Sequence, residues 1–232
     1  MRLITLAGPP SSGKTAILKN LVKEAALCGM KSAAVKFDCI STDDGETLRS
    51  LGIPVAVGLA GNLCPDHFFV CNVQDSFVWA KSLGRDILFV ESAGLCNRCS
   101  PHLRESFAIC VIDCLAGIRT PFKIGPMLRY ADLVLMTKGD LVSQAEREVF
   151  ALQVRRANPT AKLRFINGMT GQGCAEAASQ CFAAPDNATL EETRLRFTMP
   201  AALCSYCLGE TRIGKDYQTG NLRKMEFPQW TI

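Results

Sequence analysis

The chain has 232 residues, 48% hydrophobic and 21% charged, enough for one α/β domain with an appendage and incompatible with wholesale disorder. The net charge is only +4, and residues 186–232 carry equal numbers of acidic and basic side chains, so no nucleic-acid surface is expected. No apolar stretch approaches the ~20 residues that span a bilayer, and residues 1–7 lack a signal-peptide layout, so the expectation is a cytoplasmic protein without a membrane span.

Short runs rich in Val, Ile, Leu and Phe predict strands over 2–7, 32–37, 54–57, 86–91, 107–113, 132–136 and 162–166. They are mostly apolar on both faces, as strands of a covered parallel sheet are. Amphipathic stretches between them predict helices over 14–28, 45–51, 74–83, 143–157 and 172–182. This alternation is that of a doubly wound, mostly parallel α/β sheet. A break at residues 183–187 separates a nucleotide-binding unit, 1–185, from a short cysteine-containing extension, 186–232, with one strand-like run over 194–198.

The first strand runs into Gly8-Pro9-Pro10-Ser11-Ser12-Gly13-Lys14-Thr15, a full match to the phosphate-binding pattern G-x-x-x-x-G-K-[ST], and Ala16 continues into the helix. Such a loop aims backbone N–H groups at a β-phosphate, and the helix adds its positive end. Lys14 is placed to bridge the β- and γ-phosphates, and the Thr15 hydroxyl to ligate Mg2+. The strand ending in Glu91 sets a carboxylate at the carboxyl edge of the sheet, where it can orient Mg2+ or a water. Thr137-Lys138-Gly139-Asp140 follows another strand; Asp140 can accept the two N–H groups of guanine, and the Lys138 stem can lie over the base. GTP is therefore expected over ATP.

These motifs, in this order, resemble those of the hydrogenase- and urease-maturation GTPases that deliver nickel, within the SIMIBI class. The resemblance covers residues 1–182 and adds Ser41-Thr42-Asp43-Asp44, Glu91-Ser92-Ala93-Gly94, Val111–Gly117 and Asn167-Gly168-Met169-Thr170-Gly171. It implies GTP/GDP turnover with Lys14, Asp38 and Glu91 in the catalytic machinery, and Asn167 and Gly168 at the base. It also implies a nucleotide- or metal-dependent homodimer serving a client metalloenzyme or its maturation proteins. The sequence departs from the family at Thr137, where Asn is usual, and at Cys39, where an aspartate stands, with Asp38 its neighbour. Cys64-Pro65-Asp66-His67 falls where the family carries a C-P-H or C-H motif, which implies Ni2+ or Zn2+ on Cys64 and His67; the inserted Asp66 departs from that motif and either alters its geometry or adds an oxygen ligand.

Twelve cysteines against two histidines is unusual for a chain of this kind. Cys96-Asn97-Arg98-Cys99 and Cys204-Ser205-Tyr206-Cys207 are C-x-x-C pairs, which let two thiolates approach one ion from a single turn. Together the two pairs make a set of four thiolates suited to zinc or a [4Fe–4S] cluster, and a redox dithiol is the third reading. Cys28, Cys71, Cys110, Cys114, Cys174 and Cys181 read as small core residues. The leading function is a GTP-dependent metallochaperone, with an iron–sulfur-carrying nucleotide switch as the alternative. A small-molecule kinase ranks third, because no arginine-rich lid is present.

Overall fold

Seven short strands assemble into one parallel sheet in the computed structural model, whose described residues are 1–40, 44–197, 208–220 and 222–230. They are β1 (Arg2–Ala7), β2 (Ser32–Asp38), β3 (Val55–Leu59), β4 (Ile87–Glu91), β5 (Phe107–Asp113), β6 (Leu133–Thr137) and β7 (Lys162–Phe165). Their spatial order is β3-β2-β4-β1-β5-β6-β7, and every pairing is parallel. Parallel neighbours need crossover connections, most of which are supplied by helices. The helices are α1 (Lys14–Leu27), α2 (Asp44–Arg49), α3 (Pro65–Ser82), α4 (Thr120–Lys123), α5 (Pro126–Arg129), α6 (Gln144–Ala157) and α7 (Cys174–Phe182). None is long and apolar enough to cross a membrane among the described residues.

Every residue of β4 and β6 is buried, which is why these strands read as continuous apolar runs rather than alternating ones. On one face, Leu18 and Leu21 of α1 and Ala177 and Cys181 of α7 close over Ile4, Leu6, Phe89 and Ile109. On the other, Phe68, Phe69 and Phe77 of α3 cover Leu3, Val35, Phe37 and Leu88. Each fully buried Leu or Phe contributes about 1.5–3 kcal/mol relative to exposure. Phe37 meets both Phe68 and Phe69 edge-on, with centroids 5.9 and 5.2 Å apart, the arrangement the ring quadrupoles favour.

Three sequence expectations need correction. The helix placed at 74–83 begins nine residues earlier, at Pro65. Its first two turns are buried almost all round, so they lack the one-sided stripe that marks an amphipathic helix. The strand-like run at 194–198 forms only isolated bridges, Leu195 to Leu103 and Arg194 to Arg212, and Thr198 lies outside the described residues. Cys28 is exposed just past the end of α1 and Cys114 is only half-buried, whereas Cys71, Cys110, Cys174 and Cys181 are buried.

Described parts of the C-terminal segment pack on the sheet. Leu190, Leu195 and Ile213 are buried in the α3-side cluster, with Met225 and Phe227 packed against it. Arg196 donates a bidentate pair to the Asp132 carboxylate at 2.8 Å each, and also bonds the carbonyls of Leu103, Ser106 and Tyr130. The Asn72 amide of α3 donates to Arg223 O and accepts from Met225 N, pairing a helix side chain with the chain terminus.

Candidate nucleotide and metal site

β1 lies centrally in the sheet, between β4 and β5, and the glycine-rich loop leaves its carboxyl end into the N-terminus of α1. Gly13, in the left-handed region at φ 94°, precedes the helix and leaves its first N–H groups free of any side-chain cap. Lys14 folds back over the loop, its Nζ donating to Gly8 O at 2.9 Å and Pro9 O at 3.0 Å. Burial lowers its pKa, and the Glu91 carboxylate opposes that shift. The Ser12 hydroxyl is buried with no hydrogen-bond partner. Ser11, Lys14, Thr15, Asp38 and Glu91 line a cavity of about 390 Å³ here.

The structure brings Thr15 and Glu91 together: Thr15 Oγ1 donates to Glu91 Oε1 at 2.9 Å, and Glu91 Oε2 is buried without a partner. Two adjacent ligands of an octahedral Mg2+, with bonds of about 2.1 Å, stand ~3 Å apart. The pair therefore fits that ion, and the orphaned oxygen is a donor held in reserve. Asp38 is nearby, with its Oδ1 accepting from the Cys39 amide at 2.8 Å.

Sequence reasoning missed Lys36. It sits in β2 in direct register with Glu91 of β4, only 4% exposed, with Nζ 2.9 Å from Glu91 Oε1, 3.3 Å from Thr15 Oγ1 and 3.7 Å from Asp38 Oδ2. The available signal was a charged residue inside an otherwise apolar strand, which demands a buried counter-charge.

The Thr137–Asp140 segment, expected at the base, is tied to the glycine-rich loop. Thr137 Oγ1 donates to Ser12 O at 2.7 Å, while Lys138 Nζ reaches Ser11 O at 2.9 Å and Asp113 Oδ2 at 3.2 Å. Asp140 and Asn167 line one cavity of about 510 Å³ with Arg147 and Arg164. The Asn167 side chain accepts from the amides of Met169 and Thr170, which shapes its turn, and Gly168 O accepts from Asn20 of α1. A Cβ at Gly168 would stand 3.0 Å from that of Ala16.

The loop after Glu91 joins the two chemistries. Gly94 has φ +74°, and a Cβ there would fall 1.8 Å from Gly8 O, so this loop and the phosphate loop touch backbone to backbone. Two residues on, Cys96 begins the C-x-x-C pair. Ligand atoms of Cys96, Cys99 and Asp66, at the start of α3, all lie within 4.8 Å of one another. Burial raises the Asp66 pKa to about 7, and its Oδ2 has no hydrogen-bond partner. The Cys99 thiol is pushed far up by burial, then by the charges of Asp66, Cys96 and Cys64. Cys64 itself is raised by burial and by Asp66. Thiols held protonated by burial and by a neighbouring carboxylate, as Cys64 and Cys99 are, are the condition that a bound metal ion relieves. A small cavity of about 20 Å³ beside the cluster is bordered by Asp66, Cys99, Ser100 and Glu210 and by the apolar Val70, Leu195 and Phe197.

His67 is buried and joins no group of three potential ligands among the described residues; its Nε2 lies 3.8 Å from Cys71 Sγ, one turn along α3. Cys204 and Cys207 lie outside the described residues. His102, three residues beyond Cys99, is a core histidine. Its Nε2 pairs with Met127 O at 3.0 Å and its Nδ1 with Thr5 Oγ1 at 2.9 Å, the tautomer that gives both contacts a donor.

The family description "CobW/HypB/UreG, nucleotide-binding domain" matches residues 2–165. An uncharacterized protein of Methanocaldococcus jannaschii is 46% identical over 226 residues, 97% of both chains. The urease accessory protein UreG of Haloquadratum walsbyi is 30% identical over 188 residues, covering 73% of this chain and 89% of its own. Among solved structures, HypB from Helicobacter pylori in complex with nickel superposes with a TM-score of 0.61 at 19% identity, covering 79% of this chain and 86% of that one.

Proposed function

The chain belongs to the CobW/HypB/UreG nucleotide-binding family, and from that premise we propose that it is a GTPase that loads nickel, or a related divalent metal, into a client metalloenzyme. The observation that carries this reading is the convergence of Asp66, at the start of α3, with Cys96 and Cys99 of the loop that follows Glu91 and touches the phosphate loop through Gly94. Cargo metal and nucleotide then share one short stretch of chain. Mg2+, when bound, neutralises charge on the β- and γ-phosphates, and Thr15, Glu91 and Asp38 are the residues set to hold it. Lys14 unfolds from its loop carbonyls onto the phosphates, and Asp140, Lys138, Asn167 and Gly168 select guanine. When the γ-phosphate leaves, the 92–95 backbone loses its anchor and the Cys96–Cys99 pair loosens its hold on the ion.

The donor set is two thiolates and a carboxylate, and Cys64, which falls outside that group but whose charge acts on Cys99, is the candidate for a fourth ligand; His67 is a ligand only if α3 rearranges. Tetrahedral ligands at about 2.3 Å from one ion stand ~3.8 Å apart. The 4.8 Å limit on this group suits a mononuclear Ni2+, Zn2+ or Fe2+ better than a [4Fe–4S] cluster. Reduced thiols suit a cytoplasmic protein, and a two-fold homodimer gives two such sites facing a client or its maturation proteins.

The test is anaerobic metal titration of the full chain, with GTP or GDP present, followed by thiolate-to-metal charge-transfer absorbance. The expected result is one ion per chain, weaker with GDP than with GTP, and its loss in Cys99→Ser. Full stoichiometry in that variant, or identical affinity in both nucleotide states, would remove the cargo role. Iron with acid-labile sulfide at four per dimer would replace it with the cluster-carrying switch.

A further inference from the structure

We propose that Lys36 is an internal counter-cation of the magnesium position, which keeps Mg2+ out until a nucleotide triphosphate draws the ammonium onto its γ-phosphate. The inference rests on the nucleotide-site reading above and assigns a residue that the phosphate-binding motif does not contain.

The geometry is specific. Thr15 Oγ1 and Glu91 Oε1 stand 2.9 Å apart, the separation of neighbouring ligands on an octahedral ion. Lys36 Nζ caps the same two oxygens at 3.3 and 2.9 Å, with Asp38 Oδ2 at 3.7 Å. An ion bridging the oxygen pair would therefore lie within roughly 4 Å of the ammonium, where like charges in a buried site repel strongly. The two cations exclude each other unless Lys36 moves. Its backbone cannot move, because Lys36 is paired in register with Glu91 on one side and Val57 on the other, at the centre of β2. Its side chain can, because the stem opens into the cavity of about 390 Å³ that also holds Ser11, Lys14 and Ala93. A γ-phosphate in that cavity offers the ammonium a replacement for the Glu91 carboxylate, whereas a diphosphate offers less charge at that point. Lys36 thus acts as a positioning residue that favours Mg2+·GTP over Mg2+·GDP and over Mg2+ alone.

Titration calorimetry of the nucleotide-free chain with MgCl2 tests this. Wild type is expected to bind Mg2+ at least about tenfold more weakly than Lys36→Met, since the variant removes the competing charge. Equal affinities overturn the proposal. Because the variant leaves the buried Glu91 without its ammonium partner, a second measurement uses wild type carrying lysine labelled with 13C at Cε, with the Lys36 signal assigned by its absence in Lys36→Arg. That signal is expected to hold still with Mg2+ alone and to shift when Mg2+ and GTP are added together. Bound GTP, seen by its 31P signals, with Lys36 unmoved overturns the Lys36 assignment and leaves the nucleotide site standing. GTP that fails to bind removes the nucleotide reading and this inference with it.

Discussion

Gly94 illustrates how one residue without a side chain lets two loops touch. A Cβ at this position would penetrate the carbonyl of Gly8, and the φ of +74° is itself a strained one for other residues. Gly94→Ala is therefore expected to push the loop off the phosphate loop and lower GTP affinity at least about tenfold, measured by fluorescent-nucleotide titration, with the melting temperature falling by only a few degrees. His102 has a different consequence. Burial holds its pKa at about 4, well below the ordinary 6.5. A depressed folded-state value adds stability above pH 6.5 and loses it as pH falls toward 4, by up to about 3 kcal/mol. Urea midpoints between pH 6.5 and 4 should fall steeply in the wild type and less steeply in His102→Gln. A parallel slope in the two proteins would assign the acid sensitivity to other groups.

At the scale of elements, α3 and the C-terminal segment depend on each other. α3 presents Asp66 at its start, Asn72 in its middle and Trp79 near its end, and the last two hold the chain terminus: Asn72 through Arg223 and Met225, Trp79 through Pro228 O and a stacked Phe227. Arg196 anchors the segment's other arm, filling a pocket of three carbonyls and one carboxylate with a planar fork of donors. Lysine cannot reproduce that fork. Arg196→Lys is expected to cost about 2–3 kcal/mol in urea unfolding, because Asp132 and the carbonyls lose partners together. A change under ~0.5 kcal/mol would mean that the arm contributes nothing to stability. The first half of α3 was illegible in sequence for a related reason. Phe68, Phe69, Val70 and Cys71 face the sheet on one side and covering chain on the other, so no polar face remained to mark the helical period.

For the whole molecule, the proposed guanine contact at Asp140 is what would set nucleotide choice. Asp140→Asn is expected to move preference from GTP toward xanthosine triphosphate, since the amide donates where the carboxylate accepted; competition binding with the two nucleotides reads this. Unchanged preference would remove the guanine assignment. All seven strands were legible to within two residues, and six of them read as buried apolar runs because a covered parallel sheet needs apolar side chains on both faces; β7 (KLRF), at the sheet edge, is largely exposed.

The amino-acid sequence alone determined the parallel α/β class, the phosphate loop and the chain order of Glu91, Thr137–Asp140 and Asn167, because each depends on short-range spacing and on which strands are apolar. Only the tertiary structure decided which donors meet. Asp66 is distant in sequence from the Cys96–Cys99 pair, and Lys36 and Glu91 are 55 positions apart, yet parallel register and crossover packing set them side by side. No local pattern encodes that register; it follows from how the apolar faces of the sheet and helices fill one core. The same packing turns His67 toward Cys71 and buries His102 among backbone carbonyls. Residue type alone suggests a metal ligand at His67, but packing leaves it outside the cluster, while His102 is a satisfied core histidine.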